Sequence, residues 1–152
     1  MLNSDYKDIL QCLSDHRVRF LLVGAYALAV HGYPRATKDI DFFVWATPEN
    51  AVSLMNALTQ FGAPLDGVSA ADFSSKGIVF QIGNAPRRVD ILTSISGVEF
   101  EQAYANRTIV ILEGLEVPVI SLVDLIINKR ASARPQDLVD VEKLAAVQKD
   151  GR

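Results

Sequence analysis

The stretch that most constrains the fold is residues 20–44, in which a short apolar run stops at a glycine and a helical pattern follows. Phe20–Val23 is apolar throughout, and small and apolar residues then recur at helical spacing over 25–32. This change of period predicts a buried strand that turns sharply into a helix. The first turn of a helix carries free N–H groups at the positive end of the helix dipole, so this turn suits a phosphate group. Gly24 and Ala25 leave the backbone open to close approach by a ligand.

Two aspartates, Asp39 and Asp41, begin the next apolar run, which ends at Trp45. The run predicts a strand over 38–45, and alternation along a strand places both carboxylates on one face, about 6 to 7 Å apart. Two carboxylates at this spacing can bind one hard cation, and Mg²⁺ is the first candidate. A solvated strand end, or ion pairs with Lys38 and Arg35, would explain the same two residues, and the pattern alone leaves these alternatives open.

A third aspartate lies inside a later apolar strand pattern. Strands are predicted over 77–82 and 87–93, joined by a segment whose composition is typical of a hairpin turn. Alternation places Asp90 on one face of the second strand, while its apolar neighbours point to the other face. A charge inside an apolar strand must be paired, hydrated or bound to a metal. Asp90 therefore needs a partner of one of these kinds.

The remaining patterns predict the elements around these motifs. Further helices are expected over 5–15, 47–61, 97–105, 121–131 and from Pro135 onwards, and further strands over 108–112 and 115–120. Residues 62–76 are predicted to be a loop with one helical turn near Ala70–Phe73. This order predicts an α/β (α+β) fold with a mixed β-sheet, flanking helices and a helical C-terminal segment over about 121–149. Without a repeat or a long linker, residues 1–152 are expected to form a single domain.

Composition limits the partners and the compartment. The chain has 15 Lys and Arg against 18 Asp and Glu, a net charge of −3, which argues against an extended nonspecific grip on nucleic acid but allows a local basic patch. The single cysteine, Cys12, excludes a disulfide within the chain and fits a reducing compartment. No leader pattern and no apolar run of membrane-spanning length is present. We therefore expect a cytoplasmic protein with no membrane association.

The motifs together resemble a known family. A glycine turn followed within about twenty residues by an Asp-x-Asp strand is similar to the signature of the nucleotidyltransferase fold of the DNA polymerase beta superfamily. Residues 23–27 and 31–41 more closely resemble the AbiEii-type nucleotidyltransferases, a group that includes toxins of toxin–antitoxin pairs. That group usually has Gly-Gly or Gly-Ser at the turn. Ala25 preserves the small side chain and the N–H but offers no serine hydroxyl to a phosphate.

A C-terminal segment extends the resemblance over most of the chain. Residues 129–140 resemble the AbiEii motif in which a lysine, an arginine and a following aspartate complete the nucleotide site. Lys129, Arg134 and Asp137 match this motif, and Asp140 follows one helical turn later. Considered without the resemblance, Asp137 and Asp140 would also fit solvated acids near the start of a helix.

The resemblance implies transfer of a nucleoside monophosphate from an NTP, with Mg²⁺ or Mn²⁺ as the cofactor. The acceptor would be tRNA, a protein hydroxyl or a small molecule, and a toxin would have an antitoxin protein as a partner. The implied metal ligands and catalytic residues are Asp39, Asp41 and Asp90. The implied nucleotide-binding residues are Gly24, Ala25, Arg35, Thr37, Lys129, Arg134 and Asp137. The alternative is a catalytically inactive module of the same fold that binds a nucleotide or a partner protein. The nucleobase and the oligomeric state are not encoded in any of these patterns.

Overall fold

Over the residues that the structure describes, the protein is a mixed α/β structure with one six-stranded sheet and seven helices, as the sequence predicts. A computed structural model describes residues 2–149. Met1 and residues 150–152 of the predicted domain lie outside this range. The elements, in chain order, are α1 (Ser4–Asp15), β1 (Phe20–Val23), α2 (Gly24–Val30), β2 (Asp39–Val44), α3 (Pro48–Phe61), α4 (Ala70–Phe73), β3 (Val79–Ile82), β4 (Arg88–Leu92), α5 (Phe100–Ala105), β5 (Thr108–Leu112), β6 (Leu115–Val119), α6 (Leu122–Ser132) and α7 (Pro135–Lys149).

The strands lie in the order β3-β4-β2-β1-β6-β5. The β1–β2, β3–β4 and β5–β6 pairs are antiparallel, whereas β2–β4 and β1–β6 are parallel. β1 lies inside the sheet and all four of its residues are buried, which explains its continuous apolar run. β2 carries Asp39 and Asp41 on one face and lies between β1 and β4, so the two aspartates are near the middle of the sheet.

Helix boundaries follow the capping signals of the sequence. Asn3 caps α1 by accepting a hydrogen bond from the Tyr6 N–H at 2.9 Å, and Thr47 caps α3 in the same way, with proline in the first turn. The boundaries lie within two residues of the predicted ones except at α5, which begins at Phe100 and not near residue 97. Gly97 has a φ of +73°, and Ile95 and Val98 form an isolated β-bridge, so the backbone there is a turn.

A single cluster of buried apolar residues joins the sheet to the helices. It extends along the chain from Tyr6 in α1 to Leu144 in α7. Cys12 is a buried member of this cluster, as expected for a small core residue. None of the helices within residues 2–149 combines the length and the apolar character that crossing a membrane requires.

Candidate active site on the sheet face

Strand register brings the three predicted carboxylates together. β2 and β4 run parallel, with Asp41 opposite Asp90 and Asp39 opposite Arg88. One oxygen from each of Asp39, Asp41 and Asp90 lies within 4.8 Å of the other two. Because side chains of paired residues point to the same face of a sheet, the three carboxylates form one cluster, which we call the carboxylate cluster. Oxygen donors at these separations are the donor set that Mg²⁺ and Mn²⁺ prefer.

Gly24 lies directly beside this cluster. Its preceding residue, Val23, pairs with Asp41 across the antiparallel β1–β2 ladder. Gly24 has a φ of +70°, and a Cβ atom at this position would overlap with the Asp41 carboxylate. Glycine is therefore required both by backbone conformation and by space. The α2 helix starts here without a side-chain cap, so its first N–H groups are not served by a capping side chain.

The carboxylate cluster and the start of α2 form part of one cavity of about 440 Å³. Of the predicted site residues, those that line it are Gly24, Ala25, Arg35, Thr37, Asp39, Asp41, Asp90, Lys129 and Arg134. Asp137 is the exception, because it is buried and bonds to two of these lining residues instead. The predicted site is thus assembled from the start of α2, from β2, β4 and α6, and from the loops that follow α2 and α6.

The members of the carboxylate cluster differ in their surroundings. Thr37 donates a hydrogen bond from its hydroxyl to Asp39 Oδ1 at 2.9 Å, which fixes the orientation of that carboxylate. Among the three carboxylates, Asp41 is the one whose negative charge has no ion pair within residues 2–149. Burial and the charges of Asp39 and Asp90 raise its pKa from 3.8 to about 7. A divalent cation at this point would remove the repulsion among the three groups. The raised pKa therefore indicates that the cluster suits a cation.

Lys129 lies in a buried ion cluster between α6 and α7. Its side chain is only 5% exposed, and its Nζ lies 2.9 Å from Asp140 Oδ2 and 3.5 Å from Asp137 Oδ1. Both aspartates are 1% exposed, so the alternative of solvated acids at a helix start is wrong. A buried charge needs such pairing. The two aspartates of α7 therefore hold Lys129 at the wall of the cavity.

Two arginines connect this buried cluster to the cavity. Arg134 binds Asp137 with both Nε and Nη2, at 2.7 and 3.2 Å, and its backbone N–H donates to the same carboxylate at 3.3 Å. Arg35 Nη1 lies 3.2 Å from Asp140 Oδ2, which connects the loop after α2 to α7. Burial raises the pKa of Asp137, but the hydrogen bond and charge of Arg134 and the charge of Lys129 outweigh it and lower the pKa overall.

One charged residue of the site was not among the sequence predictions. Arg88 lines the cavity and forms ion pairs with Asp39 at 2.7 Å and with Asp90 at 2.9 Å. The sequence suggested Lys38 and Arg35 as alternative ion-pair partners of Asp39, but Asp39 pairs with Arg88. The signal was present in the sequence, because Arg88 precedes Asp90 by two residues on one strand and so shares its face. The cavity is completed by further polar residues that the motifs did not indicate, namely Ser94, Ser96, Asn128 and Ser132.

A second cavity, of about 430 Å³, lies on the same side of the sheet. It shares Ser94 and Ile95 with the first cavity and is lined by aromatic side chains, Phe43, Trp45 and Phe100. Phe43 and Trp45 continue the alternation of Asp39 and Asp41 along β2 and beyond its end. Trp45 stacks on Phe100, with ring centroids 6.0 Å apart and planes 12° from parallel.

Comparison with known proteins shows the same fold elsewhere. The family described as nucleotidyltransferase of unknown function (DUF6036) matches residues 2–149. Among solved structures, a provisionally assigned nucleotidyltransferase from Thermotoga maritima is similar, at 18% identity and a TM-score of 0.61, over 100% of this chain and 97% of that one. An antigenic nucleotidyltransferase-like protein from Paracoccidioides brasiliensis is also similar, at 18% identity and a TM-score of 0.53, over 96% and 77% of the two chains. A search of curated proteins finds no match.

Proposed function

Because the chain belongs to the nucleotidyltransferase family that matches residues 2–149, we propose that it transfers a nucleoside monophosphate from an NTP to an acceptor hydroxyl. The observation that carries this proposal is the single cavity that joins the carboxylate cluster to the start of α2 and to several cationic side chains. Such a cavity offers a place for a metal ion and a place for a triphosphate side by side. Nucleotidyl transfer requires this combination, since positioning and charge neutralisation dominate phosphoryl chemistry.

Asp39, Asp41 and Asp90 would hold Mg²⁺ or Mn²⁺. The fit rests on three oxygen donors within 4.8 Å of one another and is supported by the pKa of Asp41, which burial and the charges of Asp39 and Asp90 raise and which a bound cation would lower again. When bound, the metal would neutralise the triphosphate and orient the attacking and leaving oxygens. In the reaction, the acceptor oxygen bonds to the α-phosphorus, pyrophosphate leaves, and the acceptor proton passes to a base, for which we propose Asp90.

The other residues of the cavity would bind the triphosphate. Gly24 and Ala25 present the backbone at the start of α2, where N–H groups can donate to phosphate oxygens. Arg35 and Arg134 offer planar donor groups, and Lys129 offers a point charge. All three are held by the aspartates of α7, so that their positions are set before the nucleotide arrives. We assign Thr37 to orienting Asp39 and Asp137 to positioning Lys129 and Arg134.

The first experiment is calorimetric titration of the protein with each NTP, with and without Mg²⁺. We expect Mg²⁺-dependent binding of at least one NTP, lost in Asp41→Asn, because the amide cannot serve as an anionic metal ligand. Absence of binding for all four NTPs under both conditions would contradict the transferase proposal and favour a module that binds something else. Binding that is equally strong without Mg²⁺ and in Asp41→Asn would contradict the metal sites and leave a nucleotide-binding module.

The acceptor and the biological role are proposed from the resemblance to AbiEii-type proteins. We propose an RNA end or a protein hydroxyl as the acceptor, and a role as the toxin of a pair that includes an antitoxin protein. Expression of the chain in bacteria would then arrest growth, and Asp41→Asn would relieve the arrest while the protein accumulates to the same level. Equal arrest by both forms, or no arrest by either, would contradict the toxin role without affecting the transferase activity itself.

A further inference from the structure

Arg88 is bonded to two of the three members of the carboxylate cluster. Its Nε donates to Asp90 Oδ1 at 2.9 Å, and its Nη2 donates to Asp39 Oδ2 at 2.7 Å and to Asp90 Oδ2 at 3.2 Å. The guanidinium therefore forms a forked contact with Asp90 and extends to Asp39. Forked charge-assisted contacts of this kind are among the stronger hydrogen bonds in proteins.

The backbone of Arg88 is fixed on both sides. Its N–H donates to Lys38 O at 3.3 Å, and its carbonyl oxygen accepts a hydrogen bond from the Tyr6 hydroxyl at 3.1 Å. Strand register places Arg88 opposite Asp39. The position of the guanidinium between Asp39 and Asp90 thus follows from the sheet, and it does not depend on a flexible loop.

The other cations of the cavity are paired elsewhere. Arg35, Lys129 and Arg134 make their ion pairs with the aspartates of α7. Among the ion pairs within residues 2–149, Arg88 alone reaches the carboxylate cluster. It supplies one positive charge against three carboxylates and leaves Asp41 without a cationic partner. Its side chain is 34% exposed, so it has room to move toward solvent.

The metal proposed for this site and Arg88 compete for the same two carboxylates, most directly for Asp90, because Asp39 Oδ1 is bonded to Thr37 and not to Arg88. A cation that binds all three aspartates needs an oxygen from Asp39 and one from Asp90, and Arg88 already engages Asp39 Oδ2 and both oxygens of Asp90. We propose that Arg88 is a built-in counter-ion that holds Asp39 and Asp90 in position before the metal binds and is displaced from them by the metal. This inference rests on the proposed metal-dependent function. It makes Arg88 a positioning residue that lowers the affinity of the site for a free divalent cation.

The test compares Mn²⁺ binding to the wild-type chain, to Arg88→Gln and to Arg87→Gln by calorimetry in the absence of nucleotide. In Arg88→Gln the competing cation is gone, and we expect Mn²⁺ to bind about tenfold tighter than to the wild type, which corresponds to about 1.4 kcal/mol. Arg87→Gln is the matched control. Arg87 is the preceding residue and contacts Ser4 and Asp5 at 3.1 and 3.3 Å, so its removal should leave the affinity unchanged.

Thermal unfolding with and without Mn²⁺ gives a second readout. Arg88→Gln should melt at a lower temperature than the wild type in a chelator, and saturating Mn²⁺ should remove most of this difference, because the metal replaces the lost counter-ion. A purely structural role for Arg88 would give the same loss in both conditions. If Arg88→Gln does not fold, Arg88→Lys keeps the charge without the fork and should show an affinity above that of the wild type.

The outcomes separate this inference from the proposed function. Binding of Mn²⁺ to the wild type, with equal or weaker binding to the Arg88 variants, overturns the counter-ion role and leaves the metal site in place. If the wild type, Arg88→Gln and Arg88→Lys all fail to bind millimolar Mn²⁺ or Mg²⁺, the metal site is overturned and, with it, the role of Arg88.

Discussion

At the residue scale, Gly24 and Asp41 constrain one another. A side chain at position 24 would need a φ of +70° and would overlap with the Asp41 carboxylate. We predict that Gly24→Ala destabilises the protein by about 1 to 3 kcal/mol through backbone strain and displacement of Asp41, and that it abolishes Mg²⁺-dependent NTP binding. Denaturant unfolding and calorimetry measure the two effects.

Gly32 provides the matched control for that substitution. It also has a positive φ, of +104°, but a Cβ there meets nothing within 4 Å. Gly32→Ala therefore reports the cost of the backbone conformation alone, and it should retain NTP binding. Equal loss of binding in both variants would contradict the steric role of Gly24.

Asp41 is predicted to lower the stability of the protein while serving its function. Its pKa is raised from 3.8 to about 7 by burial and by Asp39 and Asp90, so the folded state holds this proton more tightly than the unfolded state. The contribution of Asp41 to stability is then largest below pH 4 and decreases as the pH rises from about 4 to about 7. Removing the charge should therefore stabilise the protein at pH 8, where wild-type Asp41 is ionised.

We predict that Asp41→Asn raises the free energy of unfolding at pH 8, in a chelator, by roughly 1 to 3 kcal/mol. At pH 4 the advantage should be much smaller, because wild-type Asp41 is then protonated. Chemical denaturation at both pH values measures the difference. A variant less stable than the wild type at pH 8 would contradict the repulsion inferred within the carboxylate cluster.

The sequence identified Asp39 and Asp41 correctly as a pair on one strand face, because side-chain alternation is a local property. Bringing Asp90 to them required the strand order, which local patterns do not determine and which only the resemblance implied. Arg88 was missed for a related reason. Its partner Asp39 lies 49 residues earlier in the chain, and the parallel register that pairs them is a property of the assembled sheet.

At the scale of elements, every predicted helix and strand is present, since capping residues and apolar periods act locally. The start of α5 was predicted three residues too early, because the turn at Gly97 was not recognised in the sequence. The burial of Asp137 and Asp140 was not predictable from the sequence of α7. Two acids at i and i+3 near the start of a helix are expected to be exposed to solvent, and only the packing of α7 against α6 shows that they are buried.

The buried ion cluster between α6 and α7 leads to a prediction on pH. Arg134 and Lys129 lower the pKa of Asp137 despite its burial. A lowered pKa in the folded state means that this group stabilises the protein above its unfolded pKa, about 3.9, and that the stabilisation is lost as the pH falls below that value. The stabilisation that this ion cluster gives to the packing of α6 against α7 should therefore decrease in acid.

We predict that Asp137→Asn lowers the free energy of unfolding at pH 7 by about 2 to 4 kcal/mol, because it leaves Lys129 buried with one partner fewer. The deficit should shrink as the pH falls below about 4, because the unfolded wild type takes up a proton at this carboxyl first and the folded wild type follows at lower pH. Glu142→Gln on the exposed side of α7 is the control and should change stability little. A deficit that stays constant from pH 7 to pH 3 would point to lost packing and not to lost charge.

At the scale of the whole molecule, the buried apolar cluster from Tyr6 to Leu144 unites the sheet with the C-terminal helices that hold Lys129. We propose from this continuity that the chain is one domain and that its C-terminal helices do not fold separately. The site depends on this arrangement, since its carboxylates come from the sheet and its other cations are held by α7.

We therefore predict a single cooperative unfolding transition, with equal calorimetric and van't Hoff enthalpies. Saturating Mn²⁺ should raise the temperature of the whole unfolding transition. A ligand that binds only the folded state stabilises it by about 2.7 kcal/mol when its concentration is one hundred times its dissociation constant. Asp41→Asn should unfold in one step and show no such shift. Two separate transitions, of which Mn²⁺ shifts the temperature of only one, would show that the sheet with its carboxylate cluster and the C-terminal helices are independent units. In that case Lys129 would not be held in position before the nucleotide binds.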